Sequence, residues 1–99
     1  ASIHGGFLVT DKADSPHQLT ANIQAEMYFG FADGDEVAPP EHMEIIDSLL
    51  HQHQVRGQVE MHHGSRHGFI FPQRYCYDKA AAEKVWERWF ALLQRNIVT

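Results

Sequence analysis

Apolar residues recur along this chain with two different periods, and each period predicts one type of element. Between residues 43 and 50, apolar side chains are spaced three or four residues apart, which is typical of one face of a helix. Pro39 and Pro40 precede this stripe, and proline suits the first turn of a helix, where its missing N–H costs no hydrogen bond. We therefore predict a helix from Pro39 to about His53.

A second helical stripe lies near the C-terminal end of the chain. Asp78 is placed to accept a hydrogen bond from the free N–H groups of its first turn. The apolar positions that line one face of this predicted helix are Ala82, Val85, Trp86, Trp89, Phe90 and Leu93. We expect the aromatic residues of this stripe to be core residues rather than a platform for a ligand.

Three shorter segments predict strands. Residues 1–4 indicate a short strand that ends at Gly5-Gly6. Residues 23–29 become apolar towards Gly30, which we expect to end that strand, and residues 58–61 alternate between polar and apolar side chains after the break at Gly57. The polar stretch between the first two strands favours a loop that could include a short helix.

The predicted order is strand, loop, strand, helix, strand, helix, which is typical of the α/β class. Strands joined by a helix indicate a right-handed crossover and a parallel sheet. Functional groups in such sheets gather beyond the carboxyl ends of the strands. Asp33 and Asp35 follow the second predicted strand, whereas His62, His63 and His67 follow the third. We therefore expect a carboxylate and a histidine side by side at one edge of the sheet.

A carboxylate beside a histidine is part of a hydrolytic triad, in which the acid orients the imidazole and the imidazole takes a proton from a nucleophile. In α/β-hydrolases the order along the chain is nucleophile, acid, histidine. Neither the motif G-x-S-x-G nor its cysteine version is found in this sequence. Gly64-Ser65 resembles its first half, but the second half is missing. Cys76 follows the histidines between two tyrosines, so we expect it to be a structural thiol.

Composition narrows the choice of function. The net charge is −5 and the basic residues are scattered, which argues against nucleic-acid binding. No apolar run approaches the roughly 18 residues of a membrane-spanning helix, so we expect no membrane partner. A single cysteine gives no disulfide framework and favours a reducing, cytoplasmic location. The eight histidines keep a metal site as an alternative, although neither H-E-x-x-H nor a cysteine pair is found.

Short motifs along almost the whole chain match one family pattern. An aspartate stands four residues before a proline that opens a helix, a histidine is followed by Gly-Phe, and an Arg, a Tyr, an alanine run and Trp-x-Arg lead into the last helix. These residues are Asp35 and Pro39, His67-Gly68-Phe69, Arg74, Tyr77, Ala80-Ala81-Ala82 and Trp86-Glu87-Arg88, with His4-Gly5-Gly6 as the end of an earlier strand. In these features the chain resembles the dienelactone hydrolase family.

The resemblance implies the C-terminal part of an α/β-hydrolase three-layer sandwich. Residues 1–99 would be a fragment of this single domain, without the nucleophile and the strands that precede it. It implies Asp35 as the triad acid and His67 as the base, with Asp33 as the alternative acid. It further implies a serine or cysteine hydrolase for a small ester or lactone, with no cofactor and no metal. Arg74 is then a candidate to bind a substrate carboxylate, or it caps a loop. We expect the full-length protein to be active and this chain alone to be inactive.

Two other classes of function stay open. A severed sheet would expose the strand edge at residues 1–4, and unpaired edges pair with other chains. The chain would then be a non-catalytic half-domain that binds a partner or self-associates. The third hypothesis is a histidine-rich metal-binding domain built on His62, His63 and His67, since neutral imidazole is a common metal ligand.

Overall fold

The computed structural model describes residues 1–97 and has a three-stranded parallel sheet with helices packed against it. The sheet has the order β1-β2-β3, and the bounds are Ser2–Ile3 for β1, Met27–Ala32 for β2 and Gly57–His62 for β3. Helix α1 spans Pro40–Gln52 and α2 spans Lys79–Asn96, while a 3-10 helix at Pro16–Asn22 occupies the polar stretch. This architecture confirms the predicted α/β class. Neither α1 nor α2 is long and apolar enough to cross a membrane.

Strand β2 is covered on both faces, because its side chains alternate between two separate apolar clusters. Phe29 and Phe31 belong to the cluster on the α1 side, together with Ile46 and Leu50 of that helix. On the other face, Tyr28 and Ala32 pack with residues of α2. The sheet therefore lies between two helical layers, and β2 is apolar almost throughout, as expected of a buried parallel strand.

The predicted end of β2 and start of β3 were wrong because glycine was taken as a strand break, and β2 begins at Met27 rather than at residue 23. Gly30 lies inside β2, where a side chain would meet the Tyr28 ring, with an added Cβ 3.2 Å from a ring carbon. Gly57 is the first residue of β3, and a Cβ there would lie 2.9 Å from the Met27 carbonyl oxygen. Glycine is needed at both positions because another residue of the sheet lies too close for a side chain, and not because the chain turns there.

Helix α2 begins as predicted, but its buried face is displaced from the predicted stripe. The Asp78 carboxylate accepts a hydrogen bond from the Ala81 N–H at 3.1 Å, which caps the helix. The face towards the sheet centres on Ala82, Val85 and Leu92.

Two of the aromatic residues expected in the core lie outside it. Trp86 is 43% exposed and Phe90 is 61% exposed, and their rings stack on each other 5.9 Å apart. Trp89 alone of the three aromatic residues packs against the cluster beneath α2. A helix turns by about 100° per residue, so positions 86 and 90 point away from the face that Val85 and Trp89 present to the sheet.

The alternation of β2 side chains between the two clusters can be tested by truncating one buried ring. Phe31→Ala removes a ring that is only 1% exposed, so we expect the free energy of unfolding to fall by about 3–5 kcal/mol. Phe90→Ala is the matched control, because the same truncation at an exposed ring should cost less than about 1 kcal/mol. Urea unfolding of the chain followed by circular dichroism measures both. Equal losses in the two variants would contradict the placement of these rings.

Candidate active site

The turn after β2 and the loop after β3 bring a carboxylate and a histidine into contact at the carboxyl edge of the sheet. The Nδ1 atom of His67 lies 2.7 Å from Oδ2 of Asp35. The Asp35 side chain is almost fully buried, whereas that of His67 is 45% exposed. The acid is thus held inside the protein, and part of the imidazole ring is accessible from outside.

Asp35 is fixed in place by its own turn and by the neighbouring loop. Its second oxygen, Oδ1, accepts a hydrogen bond from the Val37 N–H at 3.0 Å. The N–H of Gly34 donates to the carbonyl oxygen of Ser65 at 3.0 Å, which ties the two loops together. The carboxylate therefore has partners on both oxygens and little freedom to turn away from the imidazole.

The loop that carries His67 is shaped by two glycines with positive φ. Gly64, at φ +80°, lies in the turn that directly follows β3. Gly68 has φ +89°, and the Arg74 side chain folds over it so closely that an added Cβ would lie 2.6 Å from Nε. A residue with a side chain would be strained at position 68 for both reasons, which explains the glycine directly after the histidine.

Asp33, the alternative acid, lies at a different point of the same edge. Its Oδ2 accepts a hydrogen bond from the Gly64 N–H at 3.2 Å and lies 3.9 Å from Nδ1 of the exposed His63. Within residues 1–97, Asp33 makes no hydrogen bond with His67. Its position favours a role in holding the loop after β3.

The hydroxyl and the thiol that could be mistaken for a nucleophile both donate hydrogen bonds to backbone carbonyl oxygens. The Ser65 hydroxyl is buried and donates to the His62 carbonyl oxygen at 2.5 Å. The Cys76 thiol donates to the carbonyl oxygen of His67 at 3.1 Å. These contacts fit structural roles for both side chains.

An open cleft of about 570 Å³ borders the Asp35–His67 pair. The Arg66 and Arg74 side chains line it, together with the exposed rings of Phe7 and Tyr75 and the carboxylate of Glu36. The candidate residue Arg74 thus borders the same cleft as His67. The cleft offers both cationic and aromatic groups to a ligand.

Sequence reasoning missed His4, which lies directly after β1 and against His67. The two imidazole rings are 5.1 Å apart and meet edge to face. Burial lowers the pKa of His4, and the hydrogen bond to its own backbone only partly opposes this shift. The only signal in the sequence was a histidine at the carboxyl end of a strand, where functional groups gather.

His62 belongs to a buried polar network rather than to the cleft. The Tyr28 hydroxyl donates to Glu60 at 2.7 Å and lies 2.8 Å from Nε2 of His62. Arg88 of α2 donates two hydrogen bonds to the same carboxylate, at 3.2 and 3.3 Å. This network fastens α2 to the sheet at the strand that leads into the His67 loop.

The network shifts the pKa values of its members. Burial raises the pKa of Tyr28, and its hydrogen bond to Glu60 adds to that effect. Burial also raises the pKa of Glu60, but the hydrogen bonds from Tyr28 and Arg88 outweigh it, so this pKa lies below its usual value. The pKa of His62 lies below its usual value, mainly because burial disfavours the charged imidazolium.

The three histidines weighed as metal ligands lie in different surroundings. His62 is in the buried network, His63 is exposed beside Asp33, and His67 is bound to Asp35. Across residues 1–97, no three His, Cys, Asp or Glu side chains come together in a group that could hold a metal ion.

Comparisons with known proteins point to one family. The model of the dienelactone hydrolase family matches residues 1–97. A Synechocystis protein assigned as a carboxymethylenebutenolidase is 31% identical over 85 residues, which cover 86% of this chain and 35% of that protein. The chain therefore spans about a third of the length of this curated relative.

Solved structures share the fold. A Klebsiella pneumoniae protein assigned as a dienelactone hydrolase matches with a TM-score of 0.79 and 18% identity, over 89% of this chain and 38% of its own. A dienelactone hydrolase-like promiscuous phosphotriesterase from metagenomic libraries matches with a TM-score of 0.74 and 21% identity, over 94% of this chain and 40% of its own. At these identities the two structures establish the architecture, which is that of an α/β-hydrolase.

The lowered pKa of His62 predicts a pH dependence of stability. Above pH 6.5 this imidazole is neutral in the folded and unfolded states, but below it the unfolded chain takes up a proton that the folded chain resists. Stability should therefore fall as the pH drops below 6.5, and His62→Gln should make this fall shallower. The exposed His53→Gln is the control. Urea unfolding at pH 7.5 and 5.5 measures the free energy of unfolding of the unaltered protein and of both variants. The same loss of stability between the two pH values in all three proteins would contradict the prediction.

Proposed function

Because this chain belongs to the dienelactone hydrolase family, we propose that Asp35 and His67 are the acid and the base with which its full-length protein hydrolyses a small carboxylic ester or lactone. The observation that carries the proposal is the 2.7 Å contact between Nδ1 of His67 and the buried Asp35 carboxylate, on the border of an open cleft. A buried acid on one nitrogen and an accessible ring are the arrangement that a general base requires.

The pair would act through the two nitrogens of the imidazole. Asp35 accepts the Nδ1–H, which leaves the lone pair on Nε2 for the proton of a serine or cysteine. The freed oxygen or sulfur attacks the substrate carbonyl, and the protonated His67 then gives its proton to the leaving oxygen. Water, deprotonated by the same Nε2, cleaves the acyl-enzyme, and His67 then gives that proton to the released serine or cysteine, which restores the starting state. Throughout this cycle the negative Asp35 stabilises the transient imidazolium.

The remaining groups of the reaction would come from the rest of the full-length protein. These are the nucleophile and the backbone N–H groups that bind the oxyanion. We therefore expect residues 1–99 alone to be inactive. The reaction needs no cofactor, and the single cysteine favours a reducing compartment such as the cytoplasm.

Arg74 is the candidate for recognition of an anionic group on the substrate. It borders the cleft beside His67, and a guanidinium can bind a carboxylate through two hydrogen bonds. It also covers Gly68, so part of its role is to shape the loop after the histidine.

The triad assignment is tested by substitution in the full-length protein. We expect His67→Ala and Asp35→Asn each to lower kcat/KM for p-nitrophenyl acetate by on the order of a thousandfold or more, as loss of a triad member does. The matched controls are His63→Ala and Asp33→Asn, which alter the neighbouring histidine and aspartate of the same two loops. These controls should stay within a few-fold of the unaltered protein.

Each outcome bears on one assignment. Unchanged activity in His67→Ala would show that His67 is not the base and would remove the proposed acid–base pair. A large loss in Asp33→Asn with none in Asp35→Asn would move the acid to Asp33.

We also propose that the 99-residue chain alone self-associates through the outer edge of β1. Among the residues that the structure describes, 1–97, this strand pairs with β2 alone and lies at one end of the sheet. The His4 N–H donates to Gly30 of β2, so the Ile3 N–H, one residue earlier in the strand, points to the opposite side. An open edge of this kind pairs with other strands.

Size-exclusion chromatography with light scattering tests this second proposal. We expect the chain to elute as a dimer or larger species. Ile3→Pro, which removes the outward N–H, should shift it towards the monomer. A folded monomer for the unaltered chain would exclude self-association through this edge.

A further inference from the structure

His4 is a histidine in surroundings that a polar side chain normally avoids. It is 9% exposed, and its Nε2 atom is buried with no hydrogen-bond partner in residues 1–97. A buried polar atom without a partner destabilises the folded state.

The His4 ring forms one wall of the space that holds the His67 ring. The two centroids are 5.1 Å apart at an interplanar angle of 65°. Phe69 and Phe71 pack on His4 at 5.5 Å each, so the wall is itself supported. The bond to Asp35 fixes one atom of the His67 ring, but a single hydrogen bond does not fix the tilt of the ring plane. A packed neighbour does so.

The backbone around His4 is held in an unusual conformation. His4 has φ +41° and Phe7 has φ +57°, in the left-handed region that residues with side chains disfavour. The segment is fastened by the His4 N–H to the Gly30 carbonyl oxygen at 2.7 Å, and by the Phe7 N–H to the Val37 carbonyl oxygen at 3.0 Å. Between them, Gly6 brings the backbone close to His67, since a Cβ there would lie 3.8 Å from its Cε1. Strain of this kind is retained where position matters.

The charge state of His4 also suits a place beside a general base. Its pKa lies below the usual value, mainly through burial, and the nearby His67 and Arg74 lower it further, whereas the Asp35 carboxylate opposes this. A neutral ring at position 4 leaves His67 free to take up a proton. A charged ring there would repel the imidazolium.

We infer that His4 is a positioning residue, whose buried ring sets the tilt of the His67 imidazole that the Asp35 hydrogen bond leaves free. The inference rests on the proposed function of His67. It assigns to the residue after β1 a share in positioning an acid–histidine pair that is otherwise held by the loops after β2 and β3.

The test uses the full-length protein with three substitutions at position 4. We expect His4→Ala and His4→Gln, which remove the aromatic wall, to lower kcat by roughly 10- to 100-fold with little change in KM, because a small misplacement of a catalytic group costs about that much. His4→Phe keeps a ring of similar shape and should restore most of the lost kcat. His42→Ala is the matched control, since His42 also has a buried ring nitrogen without a partner but lies on α1, outside the cleft lining.

A spectroscopic readout separates positioning from general loss of structure. In the unaltered protein the Nδ1 proton of His67, shared with Asp35, should give a downfield NMR signal in slow exchange. His4→Ala should broaden this signal, whereas His4→Phe and His42→Ala should retain it. A thermal melt of each variant identifies any that fails to fold, and His4→Phe then supplies the comparison.

The outcomes distinguish this inference from the proposed function. Full kcat in a folded His4→Ala variant, or a change in KM alone, would overturn the positioning role while the His67→Ala result still supports the triad. Equal losses in His4→Phe and His4→Ala would also overturn it, because the ring would then not be the feature that matters. Unchanged activity in His67→Ala would remove both.

Discussion

The arrangement of this chain depends on the burial of β2 between two helical layers. A strand covered on both faces has almost no room for polar groups, so residues 28–32 are apolar or small apart from the Tyr28 hydroxyl. That hydroxyl contacts Glu60 and His62. Glu60 also accepts a hydrogen bond from Arg88, which attaches α2 to the same side of the sheet. The direction of the buried strand also decides where its carboxyl end, and so Asp35, comes to lie.

The contact between Asp35 and His67 is a consequence of parallel pairing. Ala32 and His62 are paired in the register of β2 and β3, so the segments that follow them leave the sheet side by side. Two hydrogen bonds between those segments then fix their spacing. The Gly34 N–H donates to the Ser65 carbonyl oxygen, and the Gly64 N–H donates to the Asp33 carboxylate. The loops thus need few residues to bring an acid and an imidazole within hydrogen-bonding distance.

Much of the fold could be predicted from the sequence because helical periodicity and helix caps are local signals. The stripe of α1, the cap at Asp78 and the α/β order are confirmed. The bounds of β2 were wrong because a strand buried on both faces shows no alternation, and because Gly30 makes room for the Tyr28 ring of the same strand. Gly57, at the start of β3, lies close to the Met27 backbone of β2. The exposure of Trp86 and Phe90 depends on which side of α2 meets the sheet, and six apolar positions in one stripe do not determine that rotation.

The site shows the same division between local and tertiary signals. Aspartates and histidines after predicted strands could be identified from the sequence, and the structure brings one pair of them together. His4 carries the same signal, a histidine at the carboxyl end of a predicted strand, but its contact with His67 could not be predicted. That contact depends on how the backbone leaves β1, where His4 lies in the left-handed region.

The acid and the histidine are 32 positions apart in the sequence, and helix α1 and strand β3 lie between them. A contact across such a separation loses chain entropy when it forms, and the pairing of parallel strands is slow compared with the formation of local contacts. The acid and the histidine therefore meet when β2 and β3 pair, and not within either loop alone. Formation of the pair during folding would report completion of the sheet rather than of a local segment.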